Sequence, residues 1–311
     1  MKHLILLAAL LAASPALSQD KMTLILDWFV NPDHGPIIVA QQMGYFAEAG
    51  LDVQIVAPSD PSDPPKMVAA GQADLALTYQ PQLYLQHEAG LPLVRVGTLI
   101  DSPLYCVLTK AGGPIKSLAD LKGHSVGFSV VGIEEALLYT MLRHNGVEPE
   151  GVTMVNVNFA LTQSLASGQV DAVSGAFRNF EPHQLEALGQ PAKCYNPEDH
   201  GVPAYDELIY VANPKTMDRD RIRRFLSATE KAEAFIEANP AKAFDSFTSY
   251  SADLKDDLNA KAWADTLPHF AAHPMVLDVA RYADFGVYMQ KSGLIKAAPA
   301  VKDIAVNMTT P

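Results

Sequence analysis

The sequence predicts an α/β protein of two lobes that are built alike and joined by a hinge, with a ligand cleft between them. Two segments, residues 67–77 and 164–174, resemble one another: each reads as a helix ended by glycine, a short polar turn and a buried strand. Another strand-like run precedes each of them, at 53–56 and 153–157. Each segment therefore closes a strand–helix–strand unit, whose crossover is expected to be right-handed.

The remaining elements fit two such lobes. Further strand-like apolar runs lie at residues 22–26, 93–100, 104–109, 124–128 and 207–212. Helical patterns lie at residues 36–49, 117–123 and 133–145 and, after Pro214, at 218–239, 240–250, 252–266 and 277–292. We expect this helical tail to pack on the outside of a lobe.

The order of the elements gives the boundaries of the lobes. Lobe I is predicted to comprise residues 19–104 and 207–311, and lobe II residues 105–206. The chain then crosses twice between the lobes, and these crossings would form a hinge. Closure of two hinged lobes can bury most of a small ligand.

The pattern of residues 1–18 predicts a secretory signal peptide. Lys2 is followed by an apolar run at 4–13, and small residues around Ala16 and Ser18 form a cleavage site. The mature chain is expected to begin at Gln19 and to be exported, most simply to the periplasm. The apolar run is too short for a transmembrane helix, which needs about 20 such residues, and no later segment has that length.

The composition excludes several classes of function. The formal charge is −12 at pH 7 and is spread along the chain, which argues against nucleic acid or an anionic membrane surface as a partner. Solubility is a sufficient explanation of this charge. The sequence contains no Gly-x-Ser-x-Gly motif, no phosphate loop and no histidine spacing suited to zinc, so we expect no metal and no cofactor.

The two cysteines, Cys106 and Cys194, leave two interpretations open. An oxidising compartment permits a disulfide between them. Cys106 also lies in an apolar, strand-like run, where a buried free thiol is common. Their spacing fits no metal-binding motif.

The most informative segment is the turn at residues 26–36, after the first predicted strand. Ligands of open α/β sheets bind beyond the carboxyl ends of strands, and Trp28, Asn31 and His34 lie at such a point. Trp and His can stack on a flat heteroaromatic ring, and Asn can donate and accept at its edge. The alternative is that Trp28 belongs to the core and His34 caps a helix. Three such groups within one short turn favour a binding site.

Several motifs between about residues 22 and 250 carry a family resemblance. They include Leu26-Asp27-Trp28-Phe29, Gly44-Tyr45-Phe46, Gly71-Gln72-Ala73-Asp74, the Asp120-Leu121-Lys122-Gly123 segment and Gly132-Ile133-Glu134-Glu135. Together they resemble a type 2 periplasmic substrate-binding protein of an ABC importer. More narrowly, the chain resembles the family that unites thiamine-pyrimidine-precursor-binding proteins with the fungal pyrimidine synthase.

The resemblance implies the importer branch of that family rather than the synthase branch. Synthases of this kind use a lysine that holds pyridoxal phosphate, a histidine that is consumed, and a run of cysteines. The matching positions here are Thr78, Gln82 and residues 201–208, which contain no cysteine. The importer branch implies a binding protein, not an enzyme, that works with an ABC permease and its ATPase. We expect a monomer, because both lobes must dock on the permease. A sensor that presents its ligand to a membrane receptor would use the same closed form.

The resemblance also implies a set of contacts to a small heteroaromatic ligand. These expected contacts are Trp28, Asn31, His34, Tyr79, Gly132, Glu134, Glu135, Arg178, Asn179, Phe180 and Tyr205. Phe180 stands where relatives often carry a tryptophan. Arg178 and Asn179 are not expected for a neutral pyrimidine. The ligand therefore stays open between an aminopyrimidine and another small molecule: a riboflavin-like ring, a nucleobase, or a sulfonate or other anion.

The adjacent glutamates Glu134 and Glu135 fit an aminopyrimidine. A carboxylate can accept from the exocyclic amine and can face a protonated ring nitrogen. Neighbouring residues on a helix point about 100° apart, so one of the two is expected to face the cleft. The other would complement the helix dipole. The alternative is that both are charges at the helix start.

Overall fold

The computed structural model describes residues 19–309, so the predicted leader at 1–18 lies outside the described residues. Within this range, ten strands form two five-stranded sheets. The first sheet contains β1 (Asp20–Ile25), β2 (Leu51–Val56), β3 (Leu75–Thr78), β4 (Val94–Ile100) and β10 (Leu208–Ala212). The second contains β5 (Tyr105–Lys110), β6 (Ser125–Phe128), β7 (Thr153–Asn156), β8 (Ala172–Phe177) and β9 (Ala192–Tyr195).

Helices cover both sheets. Those that connect the strands are α1 (Gly35–Gln42), α2 (Tyr45–Glu48), α3 (Pro64–Ala69), α4 (Gln80–Glu88), α5 (Ile133–His144), α6 (Leu161–Ser167) and α7 (Glu181–Ala187). The C-terminal helices are α8 (Arg219–Ala238), α9 (Pro240–Thr248), α10 (Asp257–Thr266), α11 (Val279–Lys291) and α12 (Val301–Ile304). None of these helices, within residues 19–309, is long and apolar enough to cross a membrane.

The two sheets share one pairing scheme. In the first sheet β1 pairs in parallel with β2 and β3, and β10 runs antiparallel between β3 and β4. In the second sheet β6 pairs in parallel with β7 and β8, and β5 runs antiparallel between β8 and β9. The prediction of two α/β lobes built alike is confirmed.

The repeated segments perform the same structural task in each lobe. Gly71 follows α3 with φ +73°, and Gly168 follows α6 with φ +78°, the left-handed conformation expected after a helix. Asp74 then accepts a backbone N–H of β1 at 2.8 Å, and Asp171 accepts one of β6 at 2.9 Å. The repeat therefore marks a turn that ends a helix and ties the next strand to its parallel neighbour.

Three helix predictions are wrong in extent. The pattern at 36–49 divides into α1 and α2, because Gly44 adopts φ +75° between them. The pattern at 252–266 begins with a separate 3₁₀ turn, and α10 starts anew where the Asp256 carboxylate caps its first turn. The segment at 117–123 forms a 3₁₀ turn rather than an α-helix. The sequence patterns also did not predict α4, α7, α12 or β9.

The C-terminal helices cover lobe I and also reach lobe II. Helices α8 and α9 pack on α1, and Phe225, Phe247 and Trp263 join the core of the first lobe. Helix α10 also contacts α7 of the second lobe, where His183 Nε2 lies 2.7 Å from a carboxylate oxygen of Asp265. The helical tail thus touches both sides of the cleft.

A buried carboxylate joins the two crossings between the lobes. The chain crosses from β4 to β5 and returns from β9 to β10. Glu207 Oε2 accepts the N–H of Leu104 at 2.6 Å, the N–H of Tyr105 at 2.8 Å and the hydroxyl of Tyr205 at 3.2 Å. Burial raises the pKa of Glu207 to about 7. The outgoing and returning segments are therefore held together at one point.

The cysteines form a disulfide within lobe II. Cys106 on β5 is bonded to Cys194 on β9, with 5.5 Å between the Cα atoms. These strands are antiparallel neighbours, so the bond links two strands at one edge of the second sheet. The sequence left open whether the two cysteines are bonded or free, and the structure shows the disulfide.

Replacement of Glu207 by alanine tests the role of the carboxylate at the crossings. The change leaves two buried N–H groups without their acceptor, and each unpaired group costs about 1–3 kcal/mol. We expect the free energy of unfolding of the chain from Gln19 onward to fall by about 3 kcal/mol in urea denaturation. The exposed Glu237→Ala is the control and should change it by less than about 0.5 kcal/mol. Equal losses in both variants would contradict this role.

Candidate ligand-binding site

The turn after β1 forms one wall of the cleft and is fixed by its own side chains. The carbonyl oxygen of the Asn31 side chain accepts the N–H of Asp33 at 2.8 Å, and His34 Nδ1 accepts the N–H of Asn31 at 3.2 Å. Because Nδ1 is an acceptor, Nε2 carries the proton and donates to Asp27 Oδ1 at 3.0 Å. His34 is fully buried behind this pair. It therefore positions Asp27 and the turn.

Aromatic side chains from both lobes face one another across the cleft. Trp28 follows β1 and Tyr79 follows β3, so both lie beyond the carboxyl ends of parallel strands. The Tyr79 hydroxyl donates to Asp27 Oδ2 at 3.1 Å. The Tyr79 ring meets the Phe177 ring of lobe II edge-on, with 6.2 Å between centroids. The ring of Phe180, also from lobe II, lies 6.2 Å from the ring of Phe29 in lobe I, measured between centroids.

Of the two adjacent glutamates, Glu134 faces the cleft. Its Oε2 accepts the N–H of Ser129 at 2.7 Å, and its side chain lies over Gly175, where φ is +93° and any Cβ would overlap the carboxyl group. Glu135 instead accepts the N–H of Gly132 at 2.6 Å and so caps the start of α5. The expected division of roles between the pair is present.

These side chains line a small cavity between the lobes. Lobe I and lobe II each contribute about half of its wall. The lining consists of Asp27, Trp28, Asn31, Asp33, Tyr79, Glu134, Leu161, Gly175, Phe177, Phe180 and Glu181. A second small cavity adjoins it and shares the walls formed by Tyr79, Glu134, Gly175 and Phe177.

The cavity is acidic, and burial raises the pKa of three of its carboxyl groups, those of Glu134, Glu181 and Asp33. Desolvation raises the pKa of Glu134 to about 8 against the lowering effect of the Ser129 and Val130 N–H groups. Desolvation likewise raises the pKa of Glu181 to about 8, and the nearby Asp33 raises it further. The pKa of Asp33 rises to about 6 for the same reason, although His34 and Asn179 lower it. No Lys, Arg or His is part of the lining formed by the described residues.

Five of the eleven predicted contacts line this cavity, and the others occupy supporting or separate positions. Trp28, Asn31, Tyr79, Glu134 and Phe180 are part of the lining. Tyr205 lines the adjoining cavity, while His34, Gly132 and Glu135 support the walls through the contacts described above.

The remaining two predicted contacts pair elsewhere. The amide of Asn179 donates to Asp33 Oδ1 at 2.6 Å and to the Thr266 hydroxyl at 2.7 Å, which ties lobe II to lobe I. Arg178 forms an ion pair with Glu198, at 2.9 Å from Nη2, and donates to the Tyr105 carbonyl at 3.1 Å. Arg178 is not part of the lining of either cavity.

Six residues of the lining were not predicted from the sequence. Asp27 and Asp33 lie within the turn at 26–36, and acidity in that turn was the signal that could have found them. Phe177 is the last residue of β8, and Tyr79 directly follows β3, the corresponding strand of the first lobe. The lining positions of Leu161, Gly175 and Glu181 depend on the approach of the two lobes, which no local pattern shows.

Comparison with known proteins places this chain in a family. The model of the family described as NMT1/THI5 like matches residues 31–243. The chain is 49% identical over 300 residues to a putative thiamine biosynthesis protein of Haemophilus influenzae, covering 96% of each chain. It is 38% identical over 226 residues to a formylaminopyrimidine-binding protein of Halalkalibacterium halodurans, covering 72% of this chain and 68% of the relative. The chain belongs to the NMT1/THI5-like family, as the motifs predicted.

The family also contains enzymes, and its fold extends beyond it. A 4-amino-5-hydroxymethyl-2-methylpyrimidine phosphate synthase of Saccharomyces cerevisiae is 28% identical over 277 residues, covering 82% of this chain and 78% of the synthase. The periplasmic aliphatic sulphonate binding protein of Escherichia coli superposes with a TM-score of 0.69 at 17% identity, covering 92% of both chains. This second likeness confirms the predicted fold, a two-lobed type 2 periplasmic binding protein-like fold with a cleft between the lobes.

The raised carboxyl pKa values predict a decrease in stability with rising pH. Glu134 has an ordinary pKa of 4.5 and a pKa of about 8 in the folded protein. Below pH 4.5 both states carry the proton; above it the unfolded chain loses the proton first, so the free energy of unfolding falls until about pH 8. Glu134→Gln and Glu181→Gln should each reduce this fall, measured by urea denaturation at about pH 5.5 and about pH 8.5.

The control for this experiment is Glu186→Gln, on the same helix as Glu181. Glu186 is exposed, and its pair with Lys261 lowers its pKa, so its replacement should not reduce the fall. If all three variants lose stability with pH as steeply as the unmodified protein, Glu134 and Glu181 are not protonated in the folded state.

Proposed function

We propose that this protein is the solute-binding protein of an ABC importer and that it binds an aminopyrimidine precursor of thiamine between its lobes. The ligand would be of the hydroxymethylpyrimidine or formylaminomethyl-pyrimidine type. The observation that carries the proposal is the buried Glu134 carboxyl, held at the wall of an aromatic-lined cavity between two lobes. A relative at 38% identity is named a formylaminopyrimidine-binding protein, which supports this choice of ligand.

The chemistry of the walls suits an aminopyrimidine. The flat faces of Trp28, Tyr79 and Phe180 can hold a heteroaromatic ring by stacking. Glu134 can accept from the exocyclic amine, and its raised pKa allows it to share a proton with a ring nitrogen. The Trp28 indole N–H is buried and has no hydrogen-bond partner among the described residues, so it is available as a donor to a ligand.

The same walls do not suit an anion. A sulfonate needs donors and positive charge, whereas this cavity presents four carboxyl groups. Arg178, the cation that could have supported such a ligand, is already paired with Glu198 outside the lining. The observations therefore favour a ligand with N–H groups.

The synthase activity of some relatives is not proposed for this chain. Thr78 and Gln82 stand where the resemblance places the cofactor-binding lysine and the consumed histidine of the synthases, and residues 201–208 contain no cysteine. Thr78 is buried and is not part of the lining of either cavity. We propose a binding protein that needs no cofactor.

The proposed function also includes export of the chain and delivery of the ligand to membrane partners. Residues 1–18 would direct the chain to the periplasm and be removed after about Ser18. There the monomer would deliver its ligand to a membrane permease driven by its ATPase. The two lobes, tied together at the cleft by Asn179 and Asp33, would present the closed form.

Parallel replacement of the two glutamates tests the proposed function. Glu134→Gln should weaken binding of 4-amino-5-hydroxymethyl-2-methylpyrimidine by about tenfold or more, because it removes a charge-assisted hydrogen bond. Glu135→Gln should leave the affinity within about twofold, since Glu135 faces its own helix start. Isothermal titration calorimetry measures both. Equal, small effects would mean that neither residue meets the ligand.

Truncation of the aromatic wall gives a second test. Trp28→Ala should weaken binding of the same pyrimidine by about 1–3 kcal/mol through loss of stacking and apolar contact. The exposed aromatic Tyr250 lies outside the cavity, so Tyr250→Ala serves as the control. If the Trp28→Ala variant binds the pyrimidine as tightly as the Tyr250→Ala control, Trp28 does not contact the ligand.

A further inference from the structure

The Trp28 side chain reaches across the cleft and packs into the apolar core of lobe II. It belongs to a cluster that also contains Cys106, Val157 and Leu161, and it is the one lobe I residue among the described members of that cluster. Only 9% of Trp28 is exposed. Contacts with the second lobe therefore determine where this wall of the ligand cavity lies.

The Trp28 indole is held in place by ring contacts rather than by a hydrogen bond. Its N–H has no hydrogen-bond partner among the described residues. Phe159 of lobe II meets the indole edge-on, with 4.6 Å between centroids and 65° between the ring planes. In such a pair the positive edge of one ring meets the negative face of the other, so the angle between the rings is defined as well as their distance.

The loop between β7 and α6 presents Phe159 to Trp28. Asn158, directly before Phe159, has φ +50°, the one positive φ of a non-glycine residue in the described chain. Few residues other than glycine adopt this conformation, and it is retained where its surroundings hold it. The Asn158 N–H donates to the Asn156 side chain at 2.9 Å, and the Ser129 hydroxyl donates to the Asn158 carbonyl. The loop thus fixes the position of Phe159.

Ser129 also connects this loop to the carboxyl group at the cavity wall. Its backbone N–H donates to Glu134 Oε2 at 2.7 Å, while its hydroxyl holds the loop. Phe159 itself is not part of the lining of either cavity. Its position allows it to act on a ligand through Trp28 rather than by direct contact.

We propose that Phe159 is a positioning residue of the ligand site, which holds the Trp28 indole across the cleft at the angle at which it stacks on the ligand ring. This inference rests on the proposed function and adds a residue to its site. The contact joins the two lobes, so it forms when the lobes approach each other. A side chain that is already fixed loses less conformational entropy when the ligand binds, which raises the affinity.

Removal of the Phe159 ring should weaken binding of 4-amino-5-hydroxymethyl-2-methylpyrimidine. In titration calorimetry with the chain from Gln19 onward, Phe159→Ala should weaken it about threefold to tenfold, the factor expected for the loss of one aromatic pair. Phe159→Tyr keeps the ring and should stay within about twofold. Tyr139→Ala is the matched control, because Tyr139 is a half-buried aromatic of lobe II outside both cavities, and it should also stay within about twofold.

A double-variant cycle separates positioning from a general structural effect. If Phe159 acts through the indole, Phe159→Ala should change the affinity of a Trp28→Ala protein by less than about twofold. A further loss of about threefold to tenfold in that protein would overturn the proposal, since Phe159 would then act independently of Trp28.

Fluorescence tests the contact without ligand. The sequence contains two tryptophans, Trp28 and Trp263, so Trp263→Phe leaves Trp28 as the single emitter. In that protein Phe159→Ala should make Trp28 more accessible to quenching by acrylamide, whereas Phe159→Tyr and Tyr139→Ala should not. Unchanged quenching in Phe159→Ala would overturn the proposal. Should Phe159→Ala fail to fold, Phe159→Leu, which keeps apolar volume but has no ring, takes its place in both measurements.

The outcomes separate this proposal from the proposed function. If the unmodified protein binds the pyrimidine and Phe159→Ala binds it equally tightly, the role of Phe159 is overturned and the pyrimidine assignment stays intact. Absence of pyrimidine binding by the unmodified protein would overturn the proposed function, and the role of Phe159 in the ligand site with it, whatever the quenching shows.

Discussion

Burial of carboxyl groups between two lobes is the constraint on which the rest of this structure depends. A carboxylate removed from water is costly unless it is protonated or paired, and burial raises the pKa of Glu134 and of Glu181 to about 8. The surroundings accommodate this cost: backbone N–H groups hold each carboxyl, and Gly175 leaves room for Glu134. A ligand rich in N–H donors would supply the partners that burial removes. The described lining of the cavity contains no Lys, Arg or His, and it therefore favours the proposed ligand, which carries N–H donors.

The carboxyl groups are buried only when the two lobes lie close together, because each lobe carries part of the cavity wall. The turn after β1 carries Asp27 and Asp33, whereas Glu134 and Glu181 begin helices of the other lobe. The hydrogen bond from Asn179 to Asp33 links the lobes at the cavity, and Glu207 joins the crossing segments behind it. Separation of the lobes would return these carboxyl groups to water and lower the raised pKa values of Asp33, Glu134 and Glu181. The proposed ligand binding and the closure of the lobes would therefore depend on the same carboxyl groups.

Much of the fold could be predicted from the sequence because its signals are local. Gly71 and Gly168 end helices by their own conformational freedom, and buried strands follow at once, so two similar lobes could be inferred. Trp28, Tyr79 and Glu134 follow strands or begin a helix at the cleft, and these positions could also be read locally. The position of Glu181 and the pairing of Arg178 with Glu198 could not, because both depend on contacts between residues distant in sequence. The division of α1 from α2 at Gly44 was missed, because the apolar pattern continues across that glycine.

The most direct test of the account is a thermal shift of the chain from Gln19 onward, near neutral pH, against an aminopyrimidine and an alkanesulfonate. A ligand that binds the folded state alone raises the melting temperature in proportion to the logarithm of its concentration once it is in excess. The account predicts such a rise with the aminopyrimidine and none with the sulfonate. A rise with the sulfonate alone would contradict the claim that the acidic cavity excludes anions and binds an aminopyrimidine. The description of the fold would not be affected.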